Sequence, residues 1–125
     1  MQEGYTFKFH GSRDDHLWVV ISDPLIDADQ AVVIVSFTSY REDKDQTCIL
    51  QPGEHPFIRK RTIVYYEDAR EVPNAHLEGL AATGMLVRQD DVAPQLLAKI
   101  RQGAAESKRI PLGCRKILAE QGLIE

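Results

Sequence analysis

His16-Leu-Trp-Val-Val-Ile-Ser22 and Ala31-Val-Val-Ile-Val-Ser-Phe-Thr-Ser39 are two apolar runs, each with polar, potentially reactive side chains at one end. Continuous β-branched runs of this length are too short to span a bilayer and read as strands buried on both faces. Such strands hold whatever sits at their ends rigidly, so His16, Thr38 and Ser39 are the first candidates for a site. The plain alternative is that these residues only mark where each strand leaves the core.

Around these runs the pattern is β-rich. Tyr5-Thr-Phe-Lys-Phe-His10 alternates aromatic with polar, the period of a strand with one covered face. Gly11 to Asp15 and Asp27 to Gln30 read as connections, and Ser22-Asp23-Pro24 ends the first run because proline lacks a donor for the ladder. Tyr40 to Gln46 is a charged loop, Thr47-Cys-Ile-Leu50 a short strand, and Gln51-Pro-Gly53 a turn in which glycine supplies positive φ. Thr62-Ile-Val-Tyr-Tyr66 is a third strand, with Asp68 to Val72 either continuing the sheet or turning off it.

The second half becomes helical. Asn74 to Thr83 suits a helix with Leu77 and Leu80 on one side and Gly84 as terminator, and Met85 to Arg88 suits a last strand. Asp90 or Asp91 as an acidic cap, with Pro94 in the first turn, opens a helix carrying Leu96, Leu97, Ile100 and Ala104 at helical spacing. Pro111 opens another, with Cys114, Ile117 and Leu118 on one face and Gly122 as the stop. Short, closely spaced strands followed by helices predict an α+β, mainly β fold. It is either a small SH3-like barrel or a strongly bent antiparallel sheet with C-terminal helices. One domain is expected over 1–125, the sheet at about 5–90 and the C-terminal helices at about 92–122.

Composition agrees: 125 residues with 43% hydrophobic and 27% charged side chains suit one core. The two cysteines, Cys48 and Cys114, lie in different contexts and suggest neither a disulfide scaffold nor a metal framework. There is no signal-peptide pattern and no spanning run, so a cytoplasmic location without membrane contact is expected. The net charge of −4 argues against a general nucleic-acid binder, yet its distribution is uneven. Residues 1–54 carry 10 acidic and 4 basic side chains, residues 55–125 carry 9 and 11, and Arg59-Lys60-Arg61 leads a candidate basic face.

The order of elements, together with His16-Leu-Trp-Val-Val-Ile-Ser22, Phe37-Thr-Ser39 and the Val92 to Gly103 helix, resembles the MazF/PemK-type toxins, over about residues 5–105. The resemblance implies a toxin–antitoxin endoribonuclease, a hydrolase-like homodimer that cuts single-stranded RNA without a metal or other cofactor, with an acidic antitoxin as partner. The family typically places an arginine at the start of the first buried strand and a threonine at the end of the second. Thr38, or Ser39 if the register slips, matches the second position, whereas His16 stands at the first. Histidine can serve as acid or base near neutral pH but lacks the permanent planar fork of arginine.

Cleavage through the ribose 2′-hydroxyl needs a proton acceptor, a donor to the leaving oxygen and cations at the phosphate. The expected catalytic set is therefore His16, Thr38, Ser39 and His55, with Glu54 an alternative to His55 as second proton carrier. Arg41, Arg59, Lys60 and Arg61 are the expected substrate-binding cations, and Tyr40, Tyr65 or Tyr66 candidates for stacking on bases. His16 bonded only to backbone, in a barrel that binds a protein, peptide or nucleic acid without cutting, is the competing reading. No glycine-rich phosphate loop or nucleophile elbow occurs.

Overall fold

The computed structural model describes residues 1–11, 16–26 and 31–125. In chain order it contains β1 (Thr6–Phe9), β2 (Trp18–Val20), β3 (Ala31–Ser39), β4 (Ile49–Leu50), β5 (Thr62–Pro73), α1 (Asn74–Ala82), β6 (Leu86–Gln89), α2 (Pro94–Glu106) and α3 (Leu112–Glu120). The connections expected at Gly11 to Asp15 and Asp27 to Gln30 lie, beyond Gly11, outside the described residues.

All strand pairs are antiparallel, in the order β4-β5-β3-β2-β1-β6. β4 and β6 remain as edges, and the sheet curls into a half-barrel. The fold is thus α+β, mainly β, and of the two expected architectures it is the strongly bent antiparallel sheet. Much of the bend lies where Ile34 pairs with Arg70 and Ser36 with Tyr65, so that Val35 alone faces Tyr66 to Ala69. Extra residues on one strand force local twist and a change of direction.

The two apolar runs are buried on both faces. Leu17, Val19 and Ile21 with Val33, Val35 and Phe37 pack under Leu96, Leu97, Ile100 and Ala104 of α2 and Cys114, Ile117 and Leu118 of α3. Trp18, Val20, Val32 and Ile34 pack on the other face with Phe7, Leu86 and Leu77 of α1. The period of two in each strand delivers alternate residues to two separate cores, which is why both runs are apolar up to their ends apart from Ser36, itself buried between Val35 and Phe37.

Helix boundaries follow local chemistry. Gly84 at φ 77° and Gly122 at φ 72° follow the ends of α1 and α3. Pro94 opens α2 as expected, but the acidic cap does not form: Ala93 is the N-cap, and Asp91 pairs instead with Arg88 at 3.0 Å. Proline's fixed φ and its missing N–H reduce the need for a side-chain cap. Ser107 links α2 to α3, its hydroxyl accepting the N–H groups of Arg109 and Ile110 and donating to Asp45 at 2.5 Å.

Candidate functional site

One end of the sheet opens into a cleft of about 830 Å³, lined by Lys8, His16, Phe37, Thr38, Ser39, Thr62, Gln89, Asp90 and the segment His55, Pro56, Phe57, Arg59 and Lys60. Its floor is built by strand ends. β2 pairs with β3 in the register Trp18↔Ser36, and continuing that register two residues sets His16 across from Thr38. Phe37 donates its N–H to the Leu17 carbonyl at 3.0 Å, and the His16 ring takes the next position of the ladder, Nδ1 donating to the Phe37 carbonyl at 2.9 Å.

That bond has a chemical consequence. A carbonyl only accepts, so Nδ1 carries a proton whether the ring is neutral or charged, and every proton exchanged with a ligand passes through Nε2. His16 is hydrogen-bonded to backbone, as the competing reading requires, and the same bond fixes the tautomer that a proton shuttle needs.

His55 is used differently. Its ring is 4% exposed, its Nδ1 accepts the Phe57 N–H at 3.1 Å, and its Nε2 donates to the Asp90 carbonyl at 2.6 Å. Both nitrogens are spent inside the protein. As a proton carrier, the role expected of it, His55 has no atom to offer; it braces the turn after Gly53, whose φ is 100°. Glu54 is no substitute. Its carboxylate accepts from Lys99 Nζ at 2.9 and 3.1 Å and from the Gln51 N–H at 2.6 Å. Burial would raise its pKa, but the Lys99 ammonium and the Gln51 N–H outweigh that and hold it below the ordinary carboxylate range.

The expected cations divide. Arg59 and Lys60 line the cleft, and among the described residues neither pairs with a carboxylate. Arg41 and Arg61 are not among its lining residues. Arg41 pairs with Asp43 at 3.1 Å, and the Arg61 guanidinium stacks on the Tyr40 ring at 3.9 Å. The tyrosines expected to stack on bases, Tyr40, Tyr65 and Tyr66, are not among the lining residues either, and Tyr66 is buried, its hydroxyl donating to the Ile100 carbonyl at 2.6 Å.

Seven lining residues are not among the site residues read from the sequence: Lys8, Phe37, Pro56, Phe57, Thr62, Gln89 and Asp90. Lys8 had a signal, since the alternation of β1 places Thr6 and Lys8 opposite Phe7 and Phe9. Phe57 and Asp90 reach the cleft through long-range bonds that no local pattern encodes: the Asp90 carbonyl accepts from Thr6 Oγ1 at 2.5 Å as well as from His55. Among the described residues the lining includes the cations of Lys8, Arg59 and Lys60, the carboxylate of Asp90, and hydroxyls from Thr38, Ser39 and Thr62. Among the described residues no three His, Cys, Asp or Glu side chains converge as metal ligands would, and no helix is long and apolar enough to cross a membrane.

Cationic side chains, hydroxyl donors and one imidazole with a fixed tautomer can hold a phosphodiester and move one proton beside it. No protein-family model matches the chain, and no curated protein sequence matches it.

Proposed function

We propose that the cleft binds single-stranded RNA and cleaves it without a metal, through attack of a ribose 2′-hydroxyl on the adjoining phosphate. His16 Nε2 takes the 2′ proton as the 2′ oxygen bonds to phosphorus. The bond from phosphorus to the 5′ oxygen breaks, and the imidazolium returns the proton to that oxygen, leaving a 2′,3′-cyclic phosphate and a 5′-hydroxyl end. Lys8, Arg59 and Lys60 offset the charge that builds on the phosphate, and Thr38 and Ser39 donate to its oxygens. The observation that carries this reading is the Nδ1 bond of His16 to Phe37, which leaves one nitrogen for proton transfer in a cationic cleft. An acidic antitoxin segment is a fitting competitor for the same cations, and the resemblance to the MazF/PemK-type toxins adds a homodimer.

A second reading has its own support. With His55 fully engaged and histidine in place of arginine at position 16, the described cleft residues offer one imidazole for proton transfer and no guanidinium at the strand end, which suits a module that binds without cutting. Mixed-sequence RNA incubated in chelator with wild type and with His16→Ala separates the two. Cleavage by wild type alone is the expected result; intact RNA, or equal cutting by the variant, overturns the catalytic reading.

A further inference from the structure

Two aromatic rings among the described residues line both the cleft and the core, Phe37, which is fully buried, and Phe57, which is only partly covered. Phe57 packs against the cluster under α2 and α3, and carries the Lys8 ammonium 4.9 Å from its ring centroid on the cleft side. A ring supported by packed side chains below and approached by a cation above presents a π face, and it is stiffer than an aromatic on a free loop.

Its backbone is held as firmly. The Phe57 N–H is tied to His55 Nδ1, the Ile58 N–H to the His55 carbonyl at 2.9 Å, and His55 Nε2 to the Asp90 carbonyl, which Thr6 also holds. The buried imidazole therefore links the segment bearing Phe57 to the segment after β6, both of which line the cleft. Burying a histidine with both nitrogens paired to backbone fixes geometry and does no proton chemistry.

We propose that Phe57 is a stacking shelf for one unpaired base of the bound strand, and that His55 is the positioning residue that holds the shelf. This rests on reading the cleft as an RNA site, and it narrows the ligand to strands whose bases are free to splay. A paired base keeps both faces in its own stack and cannot lie on the ring.

The test uses a fluorescent 2′-O-methyl RNA heptamer, which lacks the attacking hydroxyl, so binding is read whether or not the protein cuts. An abasic chain of equal length and a duplex of the same sequence are the comparisons. Wild type is expected to bind the heptamer roughly tenfold to a hundredfold more tightly than the abasic chain, the range set by one base–aromatic stack. The duplex should bind no better than the abasic chain. Phe57→Leu should abolish the preference while binding the abasic chain as wild type does, which also shows that the variant is folded, and Phe57→Trp should retain it. His55→Ala should reduce the preference with the abasic affinity unchanged. Equal binding of heptamer and abasic chain by wild type, or an undiminished preference in Phe57→Leu, overturns the shelf and leaves a phosphate-binding cleft standing. An undiminished preference in His55→Ala overturns the positioning role. Failure of wild type to bind any of the three overturns the RNA reading itself.

Discussion

Tyr66 on β5 reaches across one core and donates its phenolic hydrogen to the carbonyl of Ile100 in α2 at 2.6 Å, passing over Gly103. Burial raises the phenol far above its ordinary pKa, so it stays a donor at any pH the protein meets. A Cβ on Gly103 would fall inside contact distance of the Tyr66 oxygen, 2.9 Å from its ring carbon and 3.0 Å from the Cys48 Cβ. Alanine would gain about 1 kcal/mol in helix propensity. Overpacking costs about 1–3 kcal/mol, and the lost Tyr66 bond adds to it. Gly103→Ala is therefore expected to lower the urea midpoint, whereas Gly79→Ala in α1, where a Cβ meets open space, should raise it through a gain in unfolding free energy of about 0.5–1 kcal/mol. A rise for Gly103→Ala would refute this account of the α2 contact.

His16→Asn separates the structural and chemical parts of the histidine. The asparagine amide can keep a donor for the Phe37 carbonyl but has no group that exchanges protons near neutral pH. Cleavage should fall by roughly 10²–10⁴-fold, the usual worth of a general acid–base group, with binding of the uncleavable heptamer retained. Parallel loss of both would show that the ring's role is to hold the strands.

The cations of the cleft should appear in the salt dependence of binding. Each phosphate contact to a single strand contributes about 0.7 to the slope of log K against log salt. Arg59→Ala and Lys60→Ala are each expected to reduce the slope by about that amount. Arg41→Ala and Arg61→Ala should leave it unchanged, since those cations are held by Asp43 and Tyr40.

Acid should unfasten the far side of the molecule through Asp45. Burial pushes this carboxyl up, but hydrogen bonds from Ser107 and Thr47, with Arg109 nearby, outweigh that and hold it below its ordinary 3.8. A lowered carboxylate contributes stability that is full above the ordinary value and is lost as pH falls through the lower folded one. Unfolding free energy measured from pH 6 to pH 2 should therefore drop at the acid end more steeply in wild type than in Asp45→Asn. Coincident profiles would remove Asp45 from the acid transition.

The fold was largely legible because its determinants are local. Ala31 and Ser39 bound β3 where the β-branched run starts and stops, and Pro94, Gly84 and Gly122 mark helix limits through their own backbone chemistry. The continuation of β5 past Tyr66 was left open because Glu67 and Asp68 break the alternation there. At the site, His16, Thr38, Ser39, Arg59 and Lys60 were legible as strand-end and loop residues and do line one cleft. The commitment of His55 to Asp90, 35 positions away, and the arrival of Phe57 at the cleft are tertiary facts with no local trace, whereas Lys8 had one in the alternation of β1. The pairing of Arg41 with Asp43 was written in the chain two residues on, and a charge count alone overlooked it.

The irregular step opposite Val35 has a further effect. Val64 and Tyr66 point toward α2 and α3, yet beyond the step that side is taken by odd-numbered Ala69, while Val72 joins the α1 cluster and Arg70 lies over Trp18. The insertion is odd in length, so it reverses the parity of the ribbon. Removing one residue there would swing the guanidinium of Arg70 into the greasy interior and cast Val72 out of its own cluster, so a single deletion at this spot should cost far more than one in a surface loop.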